Sequence, residues 1–210
     1  MTMTLRLATL TGRKVAPLLP DFARLCTEVF REWPHLYDGD GRYDPEHLGA
    51  LAVSPRSALI VAHDGETLVG ASTCLPMTDT ASEYLAPFLA HGWPADRFFY
   101  LAESVPRPAY RGQGIGAAFF ALREAHIRAV SACDFACFYT TTRPDDHPSR
   151  PATVASLDAF WRRRGYAPVP DFPCTIRWKE IGQDDESDLA MQVWVKSLSG
   201  VELSHTAGDR

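Results

Sequence analysis

Three glycines at alternating positions, Gly112, Gly114 and Gly116, follow a strand-like apolar run and precede a helical pattern. Glycine lacks a Cβ atom, so a loop of this kind can turn sharply and bring its N–H groups close to an anion. A helix that begins at the loop adds unpaired N–H groups and the positive end of its dipole. The stretch 111–116 is therefore predicted to hold the pyrophosphate of a nucleotide-bearing cofactor.

Apolar periodicity predicts the elements that must position this loop. Strands are expected at 4–10, 57–62, 67–75, 98–105, 135–142, 175–179 and 190–198, and helices at 22–33, 44–53, 114–130 and 152–164, with a broken helix in 76–97. Hairpin signals early and late in the chain, such as Asp64-Gly65, predict a mixed sheet. Residues 1–199 are expected to form one domain. The tail 200–210 lacks periodicity and is expected to be mobile.

Composition narrows the function classes. The 210 residues carry a net charge of −5, which argues against nucleic acid as the main partner. The five cysteines are an odd number without C-x-x-C spacing, so neither a disulfide framework nor a metal site is expected. No signal peptide and no apolar run long enough to cross a bilayer is visible. We expect a cytoplasmic protein that binds neither membrane nor metal.

The glycine loop admits more than one interpretation from its residues. A P-loop requires Lys-Ser or Lys-Thr after the last glycine, and neither is present. The dinucleotide fingerprint is matched by Gly112, Gly114 and Ala117. It also requires an acidic residue at the end of the following strand, and Asp134 precedes that strand. A dinucleotide-dependent enzyme stays as a weaker alternative.

The segment Pro108-Ala109-Tyr110-Arg111-Gly112-Gln113-Gly114-Ile115-Gly116 resembles the signature of the GNAT-type N-acetyltransferase superfamily, Arg/Gln-x-x-Gly-x-Gly/Ala. Arg111, Gly114 and Gly116 fill its defined places. The element order over 4–198 and the segment 160–166, which ends in Gly-Tyr, are also similar to that family. The resemblance implies an α/β fold in which helices flank a mixed, mostly antiparallel sheet with a splayed pair of strands.

The resemblance implies acetyl-CoA as the acyl donor. Its pyrophosphate would be held by the backbone of Arg111, Gly112, Gln113, Gly114, Ile115 and Gly116. In the family a bulge splays the preceding strand, whose backbone binds the pantetheine arm, so Ser104 and Val105 are the expected contacts. Pro106 departs from the family pattern because it has no N–H to donate.

The implied reaction is acetyl transfer to a primary amine of a small molecule or peptide, by direct attack in a ternary complex. Glu103 is the predicted base, since partial desolvation in an apolar strand would raise its pKa toward a useful value. Trp161 occupies the place of the family's tyrosine, so Tyr139, near the end of the predicted strand 135–142, is the candidate general acid. The alternative is an enzyme without a dedicated acid.

Substrate contacts are expected from loops at the open end of the splayed sheet. The first candidate is the loop 33–43, with Tyr37, Asp38, Asp40 and Tyr43. The segments 76–97 and 143–151 are further candidates. The alternative function is a non-catalytic acyl-CoA-binding or sensing module on the same fold. A homodimer is compatible with the resemblance.

Overall fold

A computed structural model describes residues 5–39 and 43–203. The helices are α1 (Leu19–Phe30), α2 (Pro45–Val53), α3 (Ser82–Ala90), α4 (Ile115–Val130) and α5 (Asp158–Arg162). The strands are β1 (Leu5–Leu10), β2 (Ala58–Asp64), β3 (Thr67–Pro76), β4 (Phe98–Tyr100), β5 (Ser104–Pro106), β6 (Phe135–Thr141), β7 (Ala167–Pro168), β8 (Thr175–Trp178) and β9 (Ser187–Ser197). The start of the first predicted strand, Thr4, and most of the predicted tail lie outside the described residues.

The strands form a mixed sheet in the order β1-β2-β3-β4-β6-β9-β7, with β5 paired to β3 and β8 paired to β9. Neighbours run antiparallel except β4 and β6, which are parallel. The predicted mixed, mostly antiparallel sheet is confirmed. The hairpin predicted at Asp64-Gly65 joins β2 to β3, and Gly65 has the positive φ that the tight turn requires.

Two apolar cores lie on opposite faces of the sheet. Alternate residues of β2 divide between them, with Leu59 and Val61 in the core beside α1 and α2, and Ile60 in the core beside α4. This division follows from the two-residue period of a strand. Each face of the central strands is therefore covered by helices, which explains why these strands read as continuous apolar runs.

Helix α2 begins as the sequence predicts. The Asp44 carboxylate accepts a hydrogen bond of 2.9 Å from the backbone N–H of His47, and Pro45 occupies the first helical position. A capped N-terminus followed by proline is a favourable helix start. The cap fixes His47 in the first turn of α2, with its side chain pointing into the sheet.

Several predicted elements differ from the structure. Helix α3 contains Pro87 and is not interrupted by it, and β9 begins at Ser187 instead of 190. The helix predicted at 152–164 spans only Asp158–Arg162, because Val154 and Leu157 are 40% and 54% exposed and have no core to pack against. Gly165 nevertheless ends it with the positive φ typical of a C′ residue. The strand predicted at 98–105 is interrupted, and β4 and β5 are its two halves. Among the described residues, no helix has the length and apolar character that a bilayer crossing would need.

Candidate active site

The interruption between β4 and β5 is a β-bulge. The N–H of Ala102 donates to the Thr73 carbonyl and the N–H of Thr73 donates to the Glu103 carbonyl, both at 3.2 Å, so two residues oppose one. On the opposite edge of the same strand, the N–H of Leu101 donates to the Cys137 carbonyl at 2.8 Å. After this hydrogen bond the chain continues as β5, which pairs with β3 and not with β6. A gap therefore opens between β5 and the second half of β6.

The bulge decides which way Glu103 points. Before it, Phe98 and Tyr100 face the core beside α1. Uninterrupted alternation would turn residue 103 toward α4, but the extra residue reverses the alternation. Glu103 consequently faces α2 on the same side as Tyr100, and Ser104 faces α4.

The same register decides which backbone groups face the gap. In an antiparallel pair of strands, every second residue exchanges backbone hydrogen bonds with the partner strand. Glu103 and Arg107 both form such hydrogen bonds with β3. Val105, opposite Ala71, belongs to this bonded set, whereas Ser104 and Pro106 face the gap. Val105 has its backbone toward β3 and a buried side chain, which is unfavourable for the predicted pantetheine contact. That contact stays a prediction. Ser104 keeps an N–H toward the gap, and Pro106 has only its carbonyl.

The glycine loop adopts the conformation that the sequence predicts. Gly112 and Gly114 have φ of +76° and +86°, and α4 begins directly afterwards at Ile115. Arg111 to Gly114 are exposed. The first turn of α4 presents N–H groups without partners in the helix, so the loop fits an anionic group such as a pyrophosphate. Binding of acetyl-CoA by residues 111–116 stays a prediction.

Arg111 and Gln113 hold the loop rather than project from it. The Arg111 guanidinium lies 2.7 Å from the Glu32 carboxylate and donates to the Pro106 carbonyl at 3.3 Å. The Gln113 amide donates to the Ala109 carbonyl at 2.9 Å. These contacts join the loop to the end of β5 and to the segment after α1.

Glu103 is a buried carboxylate, only 5% exposed, with three donors around it. Tyr43 donates its hydroxyl to Oε1 at 3.1 Å, the Thr73 hydroxyl donates to Oε2, and Nε2 of His47 lies 3.1 Å from Oε1. Burial by itself would raise the pKa of Glu103, but the charge of His47 and the bonds from these neighbours hold that pKa below its ordinary value. The expectation of a raised pKa is therefore wrong.

His47 is a candidate site residue that the sequence analysis missed. It is 1% exposed, and neither of its ring nitrogens forms a hydrogen bond of regular geometry among the residues that the structure describes, so Nε2 meets Glu103 as an ion pair. Burial opposes its protonation, yet the Glu103 charge outweighs that effect and raises the pKa of His47. A histidine in the first turn of a capped helix carries no sequence signal for this pairing, because only the bulge brings Glu103 opposite it.

A cavity of about 50 Å³ lies against Glu103. Six aromatic side chains share in its lining: Phe30, Tyr43, Tyr84, Tyr100, Tyr139 and Trp178. Of the predicted substrate residues, Tyr43 lines this cavity. Tyr37 packs against Trp178, one of the lining residues, with the two ring centroids 4.6 Å apart. Asp38 forms an ion pair of 3.1 Å with Arg31 instead. Asp40 lies outside the described residues.

Tyr139 faces the same cavity, but its hydroxyl donates to the Tyr84 carbonyl at 2.6 Å. Burial raises the pKa of Tyr139 well above its ordinary value. Its role as a general acid stays a prediction. Trp161, at the place of the family's tyrosine, packs against Trp194 and Phe138 in the core beside α4.

Arg123 of α4 reaches the bulge from the opposite face. Only 1% exposed, it donates to the Glu103 carbonyl at 3.2 Å, the Thr73 carbonyl at 3.5 Å and the Ser104 hydroxyl at 3.4 Å. Its guanidinium also lies 4.6 Å from the Phe120 ring centroid. The helix that begins at the glycine loop is thereby connected to the backbone of Glu103.

Comparison with solved structures finds a similar fold in proteins described as acetyltransferases. They include an acetyltransferase from Thermus thermophilus (18% identity, 93% of this chain and 98% of that chain, TM-score 0.51) and one of the GNAT family from Staphylococcus aureus (13%, 92% and 99%, TM-score 0.52). Another is Arabidopsis thaliana NAA60 in complex with a bisubstrate analogue (11%, 92% and 99%, TM-score 0.57). These identities establish likeness of fold. No protein-family model and no curated protein matches the chain.

Proposed function

From the premise that this chain has the fold of the GNAT acetyltransferases, we propose that it is an acetyl-CoA-dependent N-acetyltransferase acting on a primary amine. The observation that carries the proposal is the buried Glu103 beside the gap that the bulge opens. On one side of the bulge lies a cavity that could admit an amine, and next to it begins a loop suited to pyrophosphate. Fold likeness alone supports the family, and this combination supports the activity.

Acetyl-CoA fits the residues on the other side of the gap. The N–H groups of residues 111–116 and of the first turn of α4 would hold its pyrophosphate, and the Ser104 N–H would bind its pantetheine arm. When bound, it supplies the acetyl group as an activated thioester. Positioning both reactants together supplies a large part of the acceleration in such a reaction.

Glu103 would take the proton that the amine loses when it attacks. Its lowered pKa keeps it ionised and able to accept a proton, while His47, Tyr43 and Thr73 hold the carboxylate in one orientation. Direct transfer to the amine is favoured over a covalent cysteine intermediate. Burial raises the thiol pKa of each cysteine: Cys26, Cys74, Cys133, Cys137 and Cys174.

The test has a binding arm and a turnover arm. Acetyl-CoA at 100 times its Kd should stabilise the folded protein by about 2.7 kcal/mol, and an amine panel should yield CoA and N-acetyl product. Gly114→Ala should abolish the stabilisation, since alanine is strained at a φ of +86°. Gly49→Ala is the control, because this exposed helical position has room for a Cβ. No stabilisation by millimolar acetyl-CoA would refute the proposal.

The alternative, a non-catalytic acyl-CoA-binding module, draws on one observation. Three donors surround the Glu103 carboxylate, which is the surrounding expected of a structural acid as well. Such a module would be stabilised by acetyl-CoA in the same way. It would release no CoA with any amine, and Glu103→Gln would leave its binding unchanged.

A further inference from the structure

Three of the four tyrosines that line the cavity against Glu103, and its tryptophan, already have their polar atoms bonded within the protein. The hydroxyl of Tyr43 donates to Glu103, that of Tyr84 to Asp44 at 3.2 Å, and that of Tyr139 to a backbone carbonyl. The Trp178 Nε1 donates to the His35 carbonyl at 2.8 Å. These side chains therefore offer an occupant their apolar rings, and Glu103 is the charged side chain among them.

The His35 ring also has a hydrogen-bonding partner within the protein. Its Nδ1 lies 3.0 Å from the Thr141 hydroxyl, and burial together with the Arg143 charge lowers the pKa of His35 to about 4. His35 is therefore neutral at physiological pH and supplies no positive charge to an occupant.

The basic side chain next to His35 is that of Arg143, and it already has partners within the protein. Arg143 pairs with Glu180 and donates to the carbonyls of Pro34 at 2.8 Å and His35 at 3.0 Å. On the other side, Asp44 and Glu83 add negative charge near Tyr84 and raise its pKa, after the larger effect of burial. A carboxylate or phosphate entering the cavity would meet acidic neighbours, and the basic side chains described around it, Arg143 and His47, are already paired with Glu180 and Glu103.

The volume of the cavity limits the size of the group that can enter it. A cavity of about 50 Å³ accepts roughly four water-sized groups, enough for an aminomethyl end and a few adjoining carbons. Burying an ionised group there without a partner would cost several kcal/mol, whereas apolar carbon packs favourably against aromatic rings.

We propose that the acceptor is a primary amine on an apolar alkyl or arylalkyl skeleton that carries no carboxylate or phosphate. This inference rests on the proposed acetyltransferase activity and names the substrate class of that site. The amine nitrogen would lie at Glu103, and the carbon skeleton would lie among the rings of Tyr43, Tyr84 and Trp178. Free amino acids and phosphorylated amines would be rejected because they bring an anionic group into this cavity.

The experiment compares amines with their own α-carboxylated counterparts. Product formation is measured by chromatography with acetyl-CoA for 2-phenylethylamine against phenylalanine, and for 3-methylbutylamine against leucine, with glucosamine as a polar amine. We expect kcat/KM to be at least about 100-fold higher for each apolar amine than for its counterpart. Binding of the same compounds in the presence of CoA is measured by calorimetry, so that a slow reaction cannot hide recognition.

A substitution in the lining tests whether this cavity recognises the carbon skeleton of the amine. Leu189 contributes to the lining and is 5% exposed, so Leu189→Ala should enlarge the cavity. It should raise the kcat/KM ratio of 2-phenylethylamine to propylamine about 10-fold. Leu25→Ala removes a comparably buried leucine that is not part of the lining, and it should leave the ratio unchanged. The ratio is measured within one preparation, so loss of folded protein does not affect it.

The outcomes separate this inference from the proposed function. Equal or better use of phenylalanine, leucine or glucosamine would overturn the substrate class and leave the acetyltransferase standing. Stabilisation by acetyl-CoA with neither binding nor acetylation of the apolar amines would also overturn the substrate class. Failure of acetyl-CoA to bind at all would overturn the proposed function first.

Discussion

Glu103→Gln tests the base directly, because glutamine keeps the shape of the side chain and cannot take the proton. In the wild type, the hydroxyls of Tyr43 and Thr73 donate to the carboxylate, and the His47 ring lies within ion-pair distance of it. Glutamine retains one acceptor oxygen, and the Thr73 hydroxyl, which already accepts from the Glu103 N–H, can turn to accept from the new amide. The net loss is therefore about one charge-assisted hydrogen bond.

Such a bond contributes about 2 kcal/mol, so the Tm of Glu103→Gln should fall by roughly 4–8 °C for a chain of this length. The loss of activity should be much larger. Positioned general bases contribute about 100- to 10,000-fold, and kcat/KM for the best amine should fall by that factor. The protein should still be stabilised by acetyl-CoA, because the residues proposed to hold the cofactor are untouched.

Glu103→Ala is the structural control. It leaves His47 without its charge partner and two hydroxyls without an acceptor, which should cost about 3–5 kcal/mol of unfolding free energy. Activity is measured by chromatographic separation of CoA and the acetylated amine, at a temperature where each variant is folded by circular dichroism. A folded Glu103→Gln variant with kcat/KM within about threefold of the wild type would refute Glu103 as the base, since that loss is far below the contribution of a positioned base.

Three further predictions concern the surroundings of Glu103. Because folding raises the pKa of His47, the stability that its ionisation contributes is fully present below the ordinary pKa of 6.5 and is lost as pH rises through the raised pKa. Because folding lowers the pKa of Glu103, the stability that its ionisation contributes is present above the ordinary pKa of 4.5 and is lost as pH falls through the lowered pKa. The unfolding free energy of the wild type minus that of His47→Gln, from urea titrations, should therefore be largest between pH 4.5 and 6.5, and a flat difference would contradict the ion pair. Arg123→Met should change the Tm by less than about 5 °C, because a buried charge without a carboxylate partner is exchanged for packing. Its kcat should fall about 10-fold with KM for the amine little changed, and unaltered kcat would show that Arg123 does not position Glu103. Tyr139→Phe should lower stability by about 1 kcal/mol and keep most of kcat, because the tyrosine proton is held by the Tyr84 carbonyl; a loss of about 100-fold or more would instead establish Tyr139 as the general acid.

The conformation of the glycine loop was predictable from the sequence because its determinants are local. Gly112 and Gly114 take positive φ values that follow from the missing Cβ, and α4 begins where the apolar periodicity resumes. The cap at Asp44, the turn at Asp64-Gly65 and the end at Gly165 were predictable for the same reason. In each case the residue type and its immediate neighbours are sufficient to specify the backbone.

The environment of Glu103 was not predictable, since it depends on register and on contacts distant in sequence. The apolar run 98–105 reads as one strand. The family resemblance implies a bulge in this strand, but no residue in the run marks its position at 102 and 103. That single extra residue turns Glu103 toward His47, which lies far earlier in the chain, and it places Val105 against β3 instead of the gap.

The sequence by itself therefore determined that this chain forms a mixed sheet with a phosphate-type glycine loop, because strand period, helix period and glycine conformation are local properties. Only the tertiary structure decided the chemistry beside that loop. Burial raises the pKa of an isolated carboxyl, but the pairing of Glu103 with His47, Tyr43 and Thr73 lowers it. The sign of that shift depends on which side chains the folded chain brings within hydrogen-bonding distance, and residue order does not specify those distances.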